Sequence, residues 1–360
     1  ERVETKIVEH ALRRDRMIVS HAGAHDRSRY LTVIAESSDG IRGYGEAATT
    51  PLWSGEAAET AQWMVEHVFA PRVCRKTFDH PREALALMDA AAFANPFAKG
   101  AVDAAIWDVF ARMAGVPAAK LFGDREPVKS IPTRASVGAY SVKETVRLAV
   151  EFWNAGIRTL KFKVGVKGIS DAERLKAVRE RLGNEPIFTV DANGAWQSSD
   201  EALVAIESML PYKLALVEQP TPRDRIDLLA EVHKRIKVPL MADEAVFTPD
   251  HLQAALDCDA FDILSVYPGK NGGVTRSVEM TLTAQKAGKT CAIGSNLETE
   301  LGQGAMLAVA AGLSAFPIRE LACDLSAAIF YERSSLKEPL VFKNGEVAVP
   351  ARPGFGVEPL

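Results

Sequence analysis

The chain has 360 residues, of which 47% are hydrophobic, enough apolar material for one large enzyme-like core with a smaller companion domain. The net charge of -4 and isoelectric point near 6.1 argue against a nucleic-acid partner, which would require clustered basic residues. No run of 18 apolar residues predicts a membrane span, and no signal-peptide pattern is expected at the N-terminus. Four scattered cysteines without zinc spacing are typical of a reducing compartment. We therefore expect a cytoplasmic protein that acts on small molecules.

The first part of the chain predicts an α+β domain. Its extended segments, KIVEHAL, RYLTVIAE and GIRGYGEA, have the alternation and turn residues of an antiparallel sheet. A helix is predicted from Pro96, with Asn95 as its capping residue and one buried face that extends to Met113. The tail predicts a small hairpin that returns to this region. We expect a capping domain over residues 1–125, with residues 340–360 packed back on it.

From about residue 130, β-rich runs alternate with amphipathic stretches, and this predicts a parallel barrel over residues 126–339. The candidate strands are PTRASVG, TLKFKV, IFTVDA, LALVEQ, PLMADE, FDILSV, TCAIGS and PIRELA. Chemically distinctive residues recur at intervals of 24 to 28 at the ends of five runs: Lys163, Asp191, Glu218, Asp243 and Tyr267. Because strand ends meet at the mouth of such a barrel, these side chains are expected to converge.

The residue types at the strand ends predict a metal site with a base. Lys161 and Lys163 share a strand face, and a lysine beside another ammonium group and a cation has its pKa lowered toward that of a usable base. The carboxylates of Asp191, Glu218 and Asp243 are the oxygen ligands that Mg²⁺, or alternatively Mn²⁺, prefers. Taken singly, each carboxylate would more simply cap the following helix or pair with a barrel lysine, but their common register favours a site. An amine base beside a hard cation suits removal of the proton α to a carboxylate through an enediolate.

With these residues in place, the chain resembles the enolase superfamily, and specifically the muconate-lactonizing-enzyme subgroup of the mandelate racemase/muconate lactonizing enzyme family. The resemblance extends over essentially the whole chain, through GYGEAATTP, the KxK motif, NPFAKGAVDAAIWD, GKNGG and GSNLE. It implies a modified TIM barrel of the (β/α)7β type with an α+β capping domain. It also implies Mg²⁺ at the three carboxylates, Lys163 as the acid/base, and a homo-oligomer.

The departure from the family pattern is Tyr267, five residues before the glycine pair, where the second catalytic lysine is expected. Lys270 stands two residues before that pair and would reach the site only through a register slip. Because racemisation needs an acid/base on each face of the intermediate, one-base chemistry is favoured, of the cycloisomerase or dehydratase/lyase type, on a small carboxylic acid. Tyr267 would orient the substrate or protonate a leaving group, or it would merely fill space. A racemase or epimerase of an amino-acid derivative is the alternative, and a non-catalytic carboxylate-binding barrel is the second.

The remaining candidates would support the site or contact the substrate. Asn193 and Gln219 follow metal ligands and would support the carboxylates. Glu244 would fix the neighbouring lysine or accept a hydrogen bond from Tyr267. By the resemblance, two acids at the ends of the seventh and eighth strands and two loop residues would contact the substrate: Glu298, Glu320, His25 and Trp53. For the histidine, a solvated loop is the simpler interpretation.

Overall fold

The computed structural model describes residues 1–21, 23–25 and 27–360, and the side chains of all of these except residues 24, 25 and 27. The chain begins with five strands: β1 (Arg2–Ala11), β2 (Ile18–Ser20), β3 (Gly23–His25), β4 (Arg27–Glu36) and β5 (Arg42–Ala48). An antiparallel sheet in the order β1-β4-β5 contains the three segments whose alternation predicted it. The antiparallel pair of β2 and β3 was not predicted, because each strand is only three residues long.

Six helices follow, with a turn of π-helix at Val65–Phe69: α1 (Pro51–Ser54), α2 (Ala58–Met64), α3 (Ala70–Val73), α4 (Pro81–Ala91), α5 (Pro96–Met113) and α6 (Ala119–Phe122). The predicted helix is α5, but it is buried on nearly all sides and Met113 is 53% exposed. Asn95 does not cap it through its side chain; instead Glu56 accepts hydrogen bonds from the first two backbone N–H groups of α5. A carboxylate from another element thus replaces the local cap.

Seven parallel strands form the barrel sheet, in which neighbours along the chain are neighbours in space. They are β7 (Arg134–Val137), β8 (Thr159–Lys163), β9 (Ile187–Asp191), β10 (Leu214–Glu218), β11 (Leu240–Ala242), β12 (Ile263–Val266) and β13 (Thr290–Ile293), preceded by the short β6 (Ser130–Pro132). The helices between and after them are α7 (Val142–Asn154), α8 (Asp171–Leu182), α9 (Ser199–Met209), α10 (Ile226–Arg235), α11 (Pro249–Asp257), α12 (Pro268–Asn271), α13 (Val274–Lys286), α14 (Glu300–Gly312) and α15 (Ala327–Phe330), with a 3-10 turn at Leu210–Tyr212. The first seven predicted strands coincide with β7 to β13.

The eighth strand position is occupied by a single bridge rather than by the predicted PIRELA strand. Thr133 pairs in parallel with Cys323, and the backbone N–H of Asp324 donates to the carbonyl of Ile293, so the segment joins both edges of the sheet. The predicted segment instead forms a turn that leaves Glu320 exposed. The prediction was wrong because Phe316 and Ile318 are buried in that turn and imitate the alternation of a strand.

The C-terminal tail contacts both parts of the chain. Its hairpin, β14 (Phe342–Lys343) and β15 (Glu346–Ala348), pairs with β6 next to the barrel rather than with the N-terminal sheet. Further on, the backbone N–H of Phe355 donates to Asp108 of α5, 2.6 Å away, and Phe355 is buried. The return to the N-terminal part is therefore made by the last residues and not by the hairpin.

Four of the barrel strands, β10 to β13, carry a small apolar cluster. Leu216, Met241, Ile263 and Ala292 form a separate buried cluster there. The fold is a mixed α/β fold, a curled parallel sheet with a smaller N-terminal domain, which confirms the predicted fold class. Among the described helices, none has the length and apolarity to cross a membrane.

Candidate active site

The strand ends bring the predicted residues together at one level of the barrel mouth. Lys163 is in register with Asp191, and Asp191 with Glu218, across three adjacent parallel strands. Asp243 follows directly after β11 and lies at the same end. A cavity opens here, and Lys161, Lys163, Asp191, Asn193, Asp243 and Trp53 are among its lining residues. Of the five side chains expected to converge, Lys163, Asp191 and Asp243 line this cavity, whereas Glu218 and Tyr267 are buried and do not line it.

Lys163 is the lysine that is best placed to move a proton. Its Nζ donates to Asp191 Oδ2, 2.6 Å away, and to Asn193 Oδ1, 2.9 Å away, and its side chain is 12% exposed at the cavity. Burial alone would raise the pKa of Asp191, but the two lysines hold that pKa well below its usual range. The ammonium group of Lys163 is thus oriented by two oxygen acceptors and remains in contact with the cavity.

Lys161 lies deeper and belongs to a buried charge network. Its Nζ is 2.7 Å from Asp324 Oδ2, 3.3 Å from Asp191 Oδ2 and 3.4 Å from Glu218 Oε1. Arg134, which is fully buried, donates to the same Asp324 oxygen at 2.8 Å and lies 3.2 Å from Glu218 Oε2. These acids outweigh the desolvation of Lys161 and raise its pKa, so its ammonium group is a fixed positive charge.

The three carboxylates fit a divalent cation in atom type and charge. Burial and the charge of Asp191 raise the pKa of Glu218 to about 7. Around the mouth, six carboxyl groups face four cationic side chains, so two negative charges are in excess when all are ionised: Asp191, Glu218, Asp243, Glu244, Glu298 and Asp324 against Arg134, Lys161, Lys163 and Lys270. A hard divalent ion would neutralise this excess and match the oxygen donors.

The carboxylates are nevertheless not assembled into a metal cluster. In residues 1–21, 23–25 and 27–360, no group of three His, Cys, Asp or Glu side chains is already arranged to hold a metal ion. The reason is that ammonium groups lie between the acids: Lys161 bridges Asp191 and Glu218, and Lys270 Nζ lies 2.8 Å from Asp243 Oδ1. Cation binding therefore requires these ammonium groups to be held back.

The ammonium group of Lys270 is held by backbone carbonyl groups below the site. Its fully buried Nζ donates to the carbonyl oxygens of Asp243, at 2.9 Å, and Ser265, at 2.7 Å, as well as to the Asp243 carboxylate. It does not line the cavity. The register slip that would bring Lys270 into the cavity does not occur in this structure.

Tyr267 is buried against the cavity wall. Its ring stacks on Trp53 with centroids 5.8 Å apart, and a Cβ on Gly294 would lie 2.8 Å from its Cε1 atom. Within the described structure its hydroxyl has no hydrogen-bond partner. Burial, together with the charges of Asp243 and Glu244, raises its pKa well above the usual value. Tyr267 therefore shares the inward face expected from strand parity but cannot act as a base near neutral pH.

Glu244 accepts hydrogen bonds from two loop residues and not from the phenol of Tyr267. Its Oε1 accepts from Trp53 Nε1 at 3.2 Å and from Asn193 Nδ2 at 2.7 Å, while Oε2 has no partner in the described part of the chain. The predicted hydrogen bond from Tyr267 is thus absent. The side-chain oxygen of Gln219 accepts hydrogen bonds from the backbone N–H groups of Asp243 and Ala245. Gln219 therefore supports the segment that contains Asp243, a proposed metal ligand.

Two family models match the chain. One, described as the N-terminal domain of mandelate racemase/muconate lactonizing enzyme, matches residues 2–123, and one described as enolase C-terminal domain-like matches residues 144–360. The chain belongs to the mandelate racemase/muconate lactonizing enzyme family. It is therefore an enolase-superfamily enzyme of the isomerase or lyase type.

Relatives within this family span nearly the whole chain. Muconate cycloisomerase 1 of Rhodococcus opacus is 29% identical over 333 residues, which are 91% of this chain and 88% of that protein. The substrate-liganded L-Ala-D/L-Glu epimerase from Bacillus subtilis superposes with a TM-score of 0.92 at 27% identity, covering 99% of this chain and 98% of the epimerase. The dipeptide epimerase from Enterococcus faecalis, solved with Mg and a dipeptide, gives a TM-score of 0.92 at 25% identity, with 99% of both chains covered.

The other predicted contacts of this family member divide between the site and the surface. Glu298 is buried at the mouth, where it accepts from Ser295 Oγ and the backbone N–H of Asn296, and burial raises its pKa to about 7. Glu320 is exposed in its turn and lies outside the site, because the strand that was to present it does not form. The side chain of His25 lies outside the described residues. Trp53 lines the cavity, and its contact with a substrate stays a prediction.

Sequence reasoning missed Arg134 and Asp324, which share the network around Lys161. Arg134 has the strand parity of Ser136 in the first barrel strand, and this signal was available. Asp324 follows the apolar run LAC, and it was missed because the predicted strand covers residues 317–322 and ends just before the bridge at Cys323. Their contact depends on closure of the barrel, which brings the first and last strand positions together.

Proposed function

We propose that this enzyme removes the proton α to the carboxylate of a small acid, with Lys163 as the single base and Mg²⁺ as cofactor. The observation that carries the proposal is the asymmetry of the mouth. Lys163 reaches the cavity with its Nζ held by two acceptors, whereas Tyr267 and Lys270 on the other side are sealed beneath the wall. A reaction on one face of the intermediate fits this arrangement.

Asp191, Glu218 and Asp243 would hold the ion. When bound, Mg²⁺ supplies positive charge that stabilises the developing enediolate. The fixed ammonium group of Lys161 adds charge on the same side of the cavity. Asn193 and Asp191 orient the Nζ of Lys163, which takes the proton when it is a neutral amine and can return it from the ammonium group that results. Trp53, whose Nε1 donates to Glu244, lines the cavity and would exclude water from the bound substrate.

A cycloisomerase or a dehydratase/lyase is the reaction type that one base favours. In either, the phenol of Tyr267 would donate to the substrate rather than accept a proton, since its hydroxyl is an unused donor and its pKa is raised. Similarity to the muconate cycloisomerase of Rhodococcus opacus supports the first of these.

Epimerisation of an amino-acid derivative is the second candidate. The observation in its favour is the similarity to the Bacillus subtilis epimerase over almost the entire chain. It would require a proton donor on the face where Tyr267 and Lys270 are now enclosed. A non-catalytic barrel is not retained, because the chain belongs to a family of enzymes and keeps Lys163 and all three acids.

Proton exchange tests the proposal and distinguishes the candidates. A panel of dipeptides, N-acyl amino acids and unsaturated diacids is incubated with enzyme and Mg²⁺ in D₂O, with NMR reporting deuterium at Cα and chiral chromatography reporting inversion. We expect exchange with retention, reduced at least about 100-fold in Lys163→Ala because the base is lost. Lys167→Ala, in the exposed loop that follows, is the matched control. Inversion at Cα would instead identify an epimerase, and exchange that survives in Lys163→Ala would remove Lys163 from its role.

The cellular setting and assembly also stay proposals. We propose a cytoplasmic homo-oligomer with a small-molecule carboxylate as its only partner. Light scattering coupled to size-exclusion chromatography would measure the number of subunits, and a monomer at micromolar concentration would contradict the assembly.

A further inference from the structure

We propose that Asp324, together with Arg134, is a positioning residue that holds the ammonium group of Lys161 off the carboxylates of Asp191 and Glu218, so that these can accept a divalent cation. The inference rests on the cation site of the proposed function and deepens it. It gives a function to the buried charges of Arg134 and Asp324, which lie where the first and last strand positions of the barrel meet.

Four side chains form a closed ring of alternating charge: Arg134, Glu218, Lys161 and Asp324. The two contacts of Asp324 are the short ones, 2.7 Å to Lys161 Nζ and 2.8 Å to Arg134 Nη2. The two contacts of Glu218 are longer, 3.4 Å to Lys161 Nζ and 3.2 Å to Arg134 Nη2. Both cations therefore lie nearer to Asp324 than to the proposed metal ligand.

Lys161 is the natural competitor for a metal at this site. Its Nζ is within 3.5 Å of both oxygens of Glu218 and 3.3 Å from Asp191 Oδ2, so it lies against both carboxylates. An ammonium group and a metal ion cannot share the same lone pairs. The shorter contact of Lys161 with Asp324, 2.7 Å against 3.3 and 3.4 Å to Asp191 and Glu218, draws the ammonium group toward Asp324 and weakens its hold on those oxygens.

Backbone hydrogen bonds fix the position from which Asp324 binds Lys161. The N–H of Asp324 donates to the Ile293 carbonyl, and neighbouring Cys323 bridges to Thr133, next to Arg134. Asp324 is 3% exposed, and its Oδ2 accepts both cationic donors. A neutral amide at this position would keep the shape but lose the charge that attracts Lys161. The ammonium group would then move to the nearest remaining negative charges, which belong to Glu218 and Asp191.

Calorimetric titration of the metal-free protein with Mg²⁺ at pH 8, with Mn²⁺ titration by electron paramagnetic resonance as a second readout, tests the inference without a substrate. Asp324→Asn is expected to weaken Mg²⁺ binding about 10- to 100-fold, as for other residues that orient metal ligands. Asp103→Asn is the matched control, because Asp103 is an equally buried aspartate whose oxygens bind Thr275 in the interior. Its Mg²⁺ affinity should equal that of the wild type.

Removal of Lys161 distinguishes two reasons why Asp324→Asn could weaken Mg²⁺ binding: loss of the restraint on Lys161, or loss of one negative charge near the ion. If Asp324 acts through Lys161, then Lys161→Met and the double variant Lys161→Met/Asp324→Asn bind Mg²⁺ equally well, since no ammonium group remains to be restrained. The double variant removes both members of a buried pair, so it keeps the comparison available should Asp324→Asn alone fail to fold. An Asp324→Asn effect of the same size in the Lys161→Met background would overturn the positioning role.

The same titrations distinguish failure of the proposed cation site from failure of the positioning role of Asp324. Wild-type protein that binds no Mg²⁺ would overturn the cation site, and the inference with it. Wild-type protein that binds Mg²⁺, beside an Asp324→Asn variant of equal affinity, would overturn the inference alone.

Discussion

Tyr267 shows how one side chain can change the chemistry available to a barrel mouth. The ring occupies the space between Trp53 and Gly294, and Lys270 Nζ lies 4.9 Å from its centroid. The hydroxyl is buried among carboxylates without a partner in the described structure. Such an orphaned donor costs free energy of folding, so its retention favours a role toward a bound molecule over simple space filling.

Tyr267→Phe separates these two roles. Because the hydroxyl makes no hydrogen bond, we expect the free energy of unfolding in urea to stay the same or rise by about 1 kcal/mol. If the phenol donates to the substrate, exchange at Cα persists while product formation falls at least about tenfold. Tyr212→Phe, at the opposite end of the barrel just before β10, is the control. Unchanged product formation would show that the ring only fills space.

At the scale of elements, the loop after β13 is fastened to the N-terminal domain at several points. Asn296 Nδ2 donates to the Ala48 carbonyl at 2.6 Å, and the backbone N–H of Thr299 donates to Glu46 at 2.9 Å. Tyr30 donates to the carbonyl of Leu297 at 2.7 Å, where the backbone is left-handed with φ of 60°. Since Asn296 and Leu297 line the cavity, these contacts couple the capping sheet to the shape of the site.

Glu46 gives this fastening a pH dependence. Burial raises its pKa to about 8 from an ordinary 4.5. The folded state therefore binds this proton more tightly than the unfolded state, so the contribution of Glu46 to stability is complete below pH 4.5 and is lost as pH rises toward 8. In Glu46→Gln we expect a smaller fall in melting temperature between pH 5 and 8 than in the wild type. Scanning calorimetry across that range measures it, and parallel pH profiles for the two proteins would contradict the expectation.

At the scale of the whole molecule, α5 is the element on which the capping sheet, the barrel and the tail all pack. Gly45 of β5 lies so close to α5 that a Cβ there would come within 2.0 Å of the Ala101 carbonyl oxygen. On the barrel side, Asp103 accepts from Thr275 at the start of α13, and Asp108 accepts from Phe355 of the tail. Phe97 of α5 also packs on Trp53, with ring centroids 5.9 Å apart, so packing on α5 helps to place Trp53 at the cavity.

Gly45→Ala should disturb this arrangement as a whole. The added methyl group cannot be accommodated without separating β5 from α5, and we expect a loss of about 3 kcal/mol or more in the free energy of unfolding. Urea denaturation followed by far-ultraviolet circular dichroism measures the loss. A midpoint equal to that of the wild type would mean that the sheet shifts freely on α5.

The sequence by itself determined the barrel and most of its mouth. Strand alternation and the near-constant spacing of Lys163, Asp191, Glu218 and Asp243 are local properties, and parallel strands convert them directly into neighbours at one level. The eighth strand was misplaced because a buried turn imitates the same local alternation.

Only the tertiary structure decided which charges face one another. These arise when the sheet closes and the N-terminal domain packs on it: the distances from Asp324 to Lys161 and Arg134, the bond from Lys270 to Asp243 and, among the described residues, the unpaired hydroxyl of Tyr267. These contacts join residues up to 190 positions apart. Ion pairs and burial depend on such separations in space, and no periodicity along the chain encodes them.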